Sequence, residues 1–107
     1  RRGISVGYVT DTKACRGAAL CAENTDLFIC EGMFGDMEKR ERADKTGHML
    51  MQDAAEIASG AGTSELWLTH FSASLQNPEE YNDEINRIFP NTQMGFDGKC
   101  RTIKFSD

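Results

Sequence analysis

The sequence predicts one α/β domain with a mainly parallel sheet and the element order β-α-β-α-α-β-α-β-β. Two observations predict it: short apolar segments of strand type recur along the chain, and helical segments separate most of them. A chain of 107 residues forms one domain at most. Folding buries only about 60–70% of the unfolded surface at this length, so a large uncovered face would cost the chain stability.

A strand and a helix are predicted in the first 22 residues. Residues 3–10 alternate between apolar and polar side chains, which is typical of a strand, and Asp11 begins the turn that follows. Residues 14–22 predict the first helix, interrupted at Gly17 and closed at Asn24.

The second strand precedes a charged helix. Residues 27–30 form a short apolar run typical of a strand buried in a parallel sheet, and Glu31 lies at its carboxyl end. Residues 36–45 are dense in charges, which predicts a solvated helix that breaks at Gly47. Because basic and acidic residues are interleaved there, ion pairs one helical turn apart are favoured over a contact with RNA.

The third helix and the third strand lead to a histidine. His48 begins a helix in which apolar residues recur at helical spacing, and Gly60 and Gly62 end it. Residues 66–69 predict the third strand, which delivers His70 at its carboxyl end.

The last helix is followed by a predicted hairpin. The helix begins at Pro78, since proline favours the first helical position, and Pro90 stops it. Residues 92–96 and 99–105 predict two closing strands joined at Gly98.

Side chains with metal or acid/base chemistry follow three of the predicted strands. Asp11, Glu31 and His70 each lie at the carboxyl end of a different strand, and His48 begins the helix that leads to the third. Each has an ordinary structural explanation when taken alone; Asp11, for example, is a good helix cap. Together they predict one site, because ligands bind at the carboxyl ends of parallel strands and carboxylate with imidazole is a zinc-binding combination.

Composition and cysteine spacing exclude several classes. No apolar run approaches the roughly 18 residues of a membrane span. The chain starts at Arg1 with neither an initiator Met nor a signal peptide, so we expect part of a longer, cytoplasmic protein. The net charge of −5 argues against an RNA-binding surface. The cysteines form no C-x-x-C pair, which favours reduced thiols over a zinc ribbon: Cys15, Cys21, Cys30 and Cys100.

Five motifs occur in succession over nearly the whole chain. They are GYVTDT at residues 7–12, DLFICE at 26–31, GH at 47–48, LTHFS at 68–72, and IFPNT at 88–92 followed by DG at 97–98. Together they resemble the C-terminal half of ribonuclease Z, the tRNA 3′-processing endonuclease family of the metallo-β-lactamase fold. The resemblance implies that residues 1–107 are half of an αβ/βα sandwich and that the N-terminal half lies outside the chain.

The resemblance also implies roles for the four side chains. Asp11 corresponds to the aspartate that bridges two zinc ions, and His70 to the last histidine ligand. Glu31 and His48 correspond to a pair that assists proton transfer at the scissile phosphate. The implied cofactor of the intact protein is zinc, with manganese as an alternative, and its implied substrate is precursor tRNA.

The motifs also depart from the family pattern. Glu31 and His48 are kept, but the residues around them differ: Cys30, Gly32, Met33, Met49 and Leu50 replace the usual ones. The family's His-x-His-x-Asp-His loop would lie upstream of this chain. With only Asp11 and His70 as ligands, where a catalytic zinc usually has three, we expect the chain alone to be inactive and to bind zinc weakly if at all.

Two other functions stay open at the level of sequence. One is a non-catalytic α/β module that associates through its own surface, and the other is a metallo-β-lactamase-fold hydrolase of small phosphodiesters. Half a sandwich would expose an apolar sheet face, which predicts a homodimer or strand-swapped oligomer. The residues expected on that face are Phe28, Leu66, Leu68 and Met94.

Overall fold

The structure is a computed structural model that describes residues 3–105, so Arg1 and Arg2 of the predicted lead-in lie outside the described residues. Four parallel strands form one sheet in the order β1-β2-β3-β4, which confirms the predicted fold class. The strands are β1 (Val6–Val9), β2 (Leu27–Glu31), β3 (Leu66–Thr69) and β4 (Thr92–Met94). The α-helices are α1 (Arg16–Ala22), α2 (Arg40–Thr46), α3 (Met51–Ala61) and α4 (Asn82–Ile88), and 3-10 turns at Met37–Lys39 and Pro78–Tyr81 precede α2 and α4.

The core lies between one face of the sheet and the helices. Phe28, Cys30, Leu66 and Leu68 alternate along the two central strands, and their side chains are fully buried. They pack with alanines of α1 and α3 and with Ile85 of α4. The small alanine side chains allow these helices to approach the sheet closely.

The prediction for the exposed apolar face was wrong in its residues. Phe28, Leu66, Leu68 and Met94 are buried under the helices. The strands follow one another in the sheet in chain order, and right-handed crossovers then place every connecting helix on the same face. These four residues point to that helix-covered face. The opposite face has no helix over it: it is exposed at β1, whereas Trp67 of β3 is buried there with Lys99 over its ring.

Two residues of the edge strand mark this uncovered sheet face. Val6 is 53% exposed and Tyr8 is 63% exposed, and Tyr8 pairs in register with Ile29 of β2. Gly7 between them faces α1, where an added Cβ would collide with the backbone carbonyl of Cys21. The alternation in the sequence therefore predicted the two sides of β1 correctly. Within the described residues, one apolar face of the sheet has no helix packed on it.

The predicted closing hairpin is absent: within the described residues, 99–105 form no strand beside β4. Side chains hold this segment instead. The Lys99 ammonium lies 4.9 Å from the centre of the Trp67 ring, and Arg101 Nε lies 2.8 Å from Glu65 Oε1. Residues 99–105 are thus held by a cation–π contact and an ion pair. Neither contact produces a local sequence pattern from which it could have been predicted.

The third helix begins later than predicted. His48 lies in the loop before α3, which starts at Met51 and ends at Gly62 in a left-handed conformation. Leu50 is extended, and its backbone N–H donates to the Asp53 side chain over 3.0 Å, so Asp53 caps the helix from within its first turn. None of the helices in the described part combines the length and the apolarity that crossing a membrane requires.

Candidate metal centre

The predicted site residues lie together at the carboxyl edge of the sheet. Glu31 is the last residue of β2, His70 directly follows β3, and Asp11 comes two residues after β1. These strands are parallel neighbours, so their carboxyl ends meet at one edge. His48 reaches the same place from the loop before α3.

Two of these residues have an uncommon backbone conformation. Asp11 has φ of 57° and His70 has φ of 55°, and Asn24 is the only other non-glycine residue with positive φ in the described chain. The left-handed region costs a non-glycine residue on the order of 1–3 kcal/mol, and such residues concentrate at functional sites.

Glu31 is a fully buried carboxylate with a complete set of donors. Its side chain is 0% exposed. Oε1 accepts from the backbone N–H of Thr12 at 3.0 Å, and Oε2 accepts from the N–H of Met49 at 3.1 Å. The His48 ring is the third partner. These hydrogen bonds compensate for the loss of water around a buried charge, so Glu31 is held in one place.

His48 is oriented by Glu31. Its Nδ1 lies 3.1 Å from Oε2 and 3.2 Å from Oε1 of the carboxylate. Because a carboxylate only accepts hydrogen bonds, Nδ1 carries the proton of the neutral ring and Nε2 carries the free lone pair. The ring is 19% exposed, so it is packed but accessible at its edge.

Asp11 and His70 form the more open part of the site. Nε2 of His70 lies 3.2 Å from Oδ1 of Asp11, and the two side chains are 42% and 67% exposed. The ring centres of His48 and His70 are 5.8 Å apart, with 41° between the ring planes. Both rings and the Asp11 carboxylate therefore line one small space.

Three of these side chains fit a divalent metal of the zinc type. Asp11, His48 and His70 each offer one ligand atom, and the three atoms lie within 4.8 Å of one another. Two ligands bound at about 2.0–2.1 Å in a tetrahedral site stand about 3.3 Å apart, close to the 3.2 Å between His70 and Asp11. The sequence indicated two ligands here, Asp11 and His70, and the structure places His48 beside them.

A groove opens beside His70 along the uncovered sheet face. It has a volume of about 520 Å³. Aromatic side chains, one cation and the His70 ring line it: Tyr8, Trp67, Phe71, Phe96, Lys99 and His70. The groove next to the site is thus rich in aromatic side chains, and it also carries one basic residue, Lys99, and one acidic residue, Asp97.

The charged segment forms ion pairs both with α3 and within α2. Arg40 donates to both carboxylate oxygens of Asp53, at 2.6 and 2.7 Å, and this hydrogen bonding raises the pKa of the guanidinium. On α2, Nζ of Lys45 lies 3.4 Å from Oε1 of Glu41, one helical turn earlier. The contact between Lys45 and Glu41 agrees with the predicted solvated helix with internal ion pairs, whereas Arg40 joins the segment to α3.

The structure also identifies groups that the sequence analysis missed. The backbone amides of Thr12 and Met49 hold Glu31 from two separate loops. Any residue except proline offers such a donor, so no sequence signal could have indicated them.

No protein-family model matches the chain. Curated proteins named ribonuclease Z match nearly all of it: that of Lachnoclostridium phytofermentans is 48% identical over 105 residues, which are 98% of this chain and 34% of that protein. That of Clostridium acetobutylicum is 45% identical over 107 residues, which are the whole chain and 35% of that protein. The chain thus spans about a third of the length of these relatives, and the predicted resemblance is confirmed over that third.

A solved structure shows the same fold. The metallo-beta-lactamase fold protein YhfI from Bacillus subtilis superposes with a TM-score of 0.72 at 28% sequence identity. The match covers 86% of this chain and 37% of YhfI. The chain therefore has the fold of part of a metallo-β-lactamase domain.

Proposed function

We propose that this chain is the C-terminal part of a ribonuclease Z-type enzyme, a cytoplasmic, metal-dependent endonuclease that cleaves precursor tRNA at its 3′ end. The observation that carries the proposal is the Glu31–His48 pair, 3.1 Å apart, beside Asp11 and His70 at one rim of the sheet. The ribonuclease Z relatives support the choice of substrate.

Glu31 and His48 would together transfer a proton at the scissile bond. The buried carboxylate fixes the ring through Nδ1 and stabilises the imidazolium once Nε2 has taken up a proton. Nε2, the ring nitrogen that Glu31 does not occupy, would then deliver that proton to the leaving oxygen. Without Glu31 the ring would be free to rotate, and the proton would no longer be aimed at one point.

Asp11 and His70 would hold the metal in the intact enzyme. A zinc ion there supplies a Lewis acid for the phosphate and lowers the pKa of nearby water. The aromatic groove beside His70 would receive the part of the substrate next to the scissile phosphate, with Lys99 as its cation. The remaining ligands and the RNA-binding charge would come from the rest of the longer protein.

The chain alone is expected to be inactive. It has a net charge of −5, whereas a surface that holds RNA through its phosphates is basic. We also propose that the isolated chain forms a homodimer, because the uncovered sheet face exposes Val6 and Tyr8 to water.

The proposal is tested by cleavage of precursor tRNA and of bis-(p-nitrophenyl) phosphate by the complete protein that contains this chain. His48→Ala is expected to lower the rate on tRNA by about 100–10,000-fold, the usual contribution of a general acid. Arg42→Ala, an exposed change on α2, is the matched control and should leave the rate unchanged.

Each alternative has its own outcome in this experiment. Hydrolysis of the small ester with no cleavage of tRNA would identify a hydrolase of small phosphodiesters. Zinc-loaded complete protein without activity on either compound would leave the self-association module as the function.

A further inference from the structure

We infer that Arg40 and Asp53 are positioning residues for His48, because their ion pair holds the loop that carries the imidazole. The inference rests on the proposed function, in which His48 transfers a proton, and it assigns to that reaction two residues that act only through another side chain. Arg40 begins α2, Asp53 lies in the first turn of α3, and His48 lies in the loop between the two helices.

Arg40 and Asp53 form a bidentate ion pair. Nη1 of Arg40 donates to Oδ2 of Asp53 at 2.7 Å, and Nη2 donates to Oδ1 at 2.6 Å. The Asp53 side chain is 9% exposed, whereas that of Arg40 is 41% exposed. Two parallel charge-assisted hydrogen bonds fix the orientation of both groups as well as their distance. The pair therefore joins the start of α2 to the start of α3 in one defined geometry.

Asp53 is also bonded to the loop itself. Its Oδ2 accepts from the backbone N–H of Leu50 at 3.0 Å in addition to the Arg40 guanidinium. The Leu50 carbonyl in turn accepts from the N–H of Asp53 at 3.1 Å. Without the guanidinium, Asp53 would be a nearly buried charge that lacks its cation, and turning toward water would lower the cost of its burial. Arg40 thus keeps the carboxylate in the position where it holds Leu50.

The next peptide group connects Leu50 to the acid/base pair. The N–H of Met49 donates to Oε2 of Glu31 at 3.1 Å, and the same oxygen lies 3.1 Å from Nδ1 of His48. Because peptide groups are planar and the two donors belong to adjacent residues, a shift of Leu50 also moves Met49. A loop released from Asp53 therefore changes the contact between Glu31 and the His48 ring.

The ion pairs nearby do not have this connection. Asp44 is a second neighbour of Arg40, but its Oδ1 lies 3.9 Å from Nη1 and its side chain is 49% exposed. Lys45 and Glu41 are 75% and 83% exposed, and exposed pairs of this type contribute little to a structure. Of these three ion pairs, the one between Arg40 and Asp53 is the pair that reaches the loop before α3.

The first test uses the complete protein that contains this chain, with precursor tRNA as substrate. Arg40→Met keeps the aliphatic stem and removes the donors, and we expect kcat to fall about 10–100-fold at nearly unchanged KM, as for a displaced catalytic group. Arg40→Lys keeps the charge without the paired donors and should recover part of the rate. Arg42→Met, an exposed change on the same helix, is the matched control and should leave both constants unchanged.

A double substitution separates positioning from stability. In His48→Ala, the further change Arg40→Met should lower the rate by less than about 2-fold, because the group that the ion pair positions is already absent. Multiplied losses in the double variant, or a rise in KM at unchanged kcat in Arg40→Met, would overturn the inference.

Amide hydrogen exchange of the complete protein provides a readout that needs no activity. In Arg40→Met, the N–H groups of Met49 and Leu50 should exchange at least about 10-fold faster, while that of Phe28 in β2 should keep its rate. Unchanged exchange at Met49, or equal acceleration at Met49 and Phe28, would contradict the inference. Absence of tRNA cleavage by the unsubstituted protein would refute the proposed function instead, and the exchange rates would still decide whether the ion pair holds the loop.

Discussion

The Glu31 carboxylate and the His48 imidazole lie 3.1 Å apart, one at the end of a buried strand and the other in a loop seventeen residues later. The carboxylate has no exposed surface, whereas the ring is exposed at one edge. The buried carboxylate thus holds the more accessible imidazole in place. Because only the ring reaches the surface, the pair can act on a molecule bound at the rim of the sheet.

Removing the Glu31 charge should destabilise the chain. In Glu31→Gln the new NH₂ group would face the N–H of Thr12 or of Met49, so one buried donor loses its acceptor. We expect a loss of about 1–3 kcal/mol in the free energy of unfolding in urea. Glu41→Gln, which removes an exposed ion pair with Lys45, should change it by less than about 1 kcal/mol. Equal effects of the two changes would contradict the role given to Glu31.

The uncovered sheet face should govern self-association. Tyr8→Ser removes an aromatic side chain that is 63% exposed on this face, and it should shift the chain from dimer to monomer in light scattering. Leu20→Ser is the control, since Leu20 is 57% exposed on α1, on the other side of the sheet. A monomeric unchanged chain at high concentration would contradict the proposed homodimer, and dissociation by Leu20→Ser would assign the contact to the helical side.

Three of the four thiols, Cys15, Cys21 and Cys30, should differ in reactivity toward iodoacetamide. Burial raises the pKa of Cys30 to about 12, so at pH 7.5 it holds almost no thiolate and should react only after unfolding. Hydrogen bonds from the backbone of Ala18 and from the Thr12 hydroxyl lower the pKa of Cys15, which increases its thiolate fraction. Mass spectrometry should therefore find Cys15 labelled before Cys21.

Substitution of Thr12 by Val provides the matched test. The hydroxyl lies 3.8 Å from the Cys15 sulfur, and its removal should slow labelling of Cys15 while leaving Cys21 unchanged. Labelling of folded Cys30 as fast as Cys21 would show that the strand around it opens readily.

The C-terminal segment should protect the single tryptophan. Arg101→Met breaks the ion pair with the buried Glu65 carboxylate, and Lys99 would no longer be held over Trp67. We expect a red shift of the tryptophan emission and greater quenching by iodide than in Lys104→Met, an exposed control. Identical emission in the two variants would mean that Lys99 stays in place without the ion pair.

Strand positions could be predicted where a segment is short and apolar and is bounded by residues that end helices or strands. Residues 66–69 form β3 as predicted, because they are too few for a helix and too apolar for a surface loop. His48 was placed at a helix start, yet it lies in a loop, since the Asp53 cap fixes the beginning of α3 three residues later. The predicted hairpin is absent because Arg101 pairs with the side chain of Glu65, just before β3, and residues 99–105 form no strand ladder.

The sequence by itself determined that Asp11, Glu31 and His70 meet, because carboxyl ends of neighbouring parallel strands lie at one edge whatever the details of packing. Only the tertiary structure decided that His48 joins them, since its position depends on a buried carboxylate and on the loop before α3. It also decided which sheet face stays uncovered. Central strands that are apolar at nearly every position do not indicate their sides, and the hand of the crossovers placed the helices over Phe28 and Leu68.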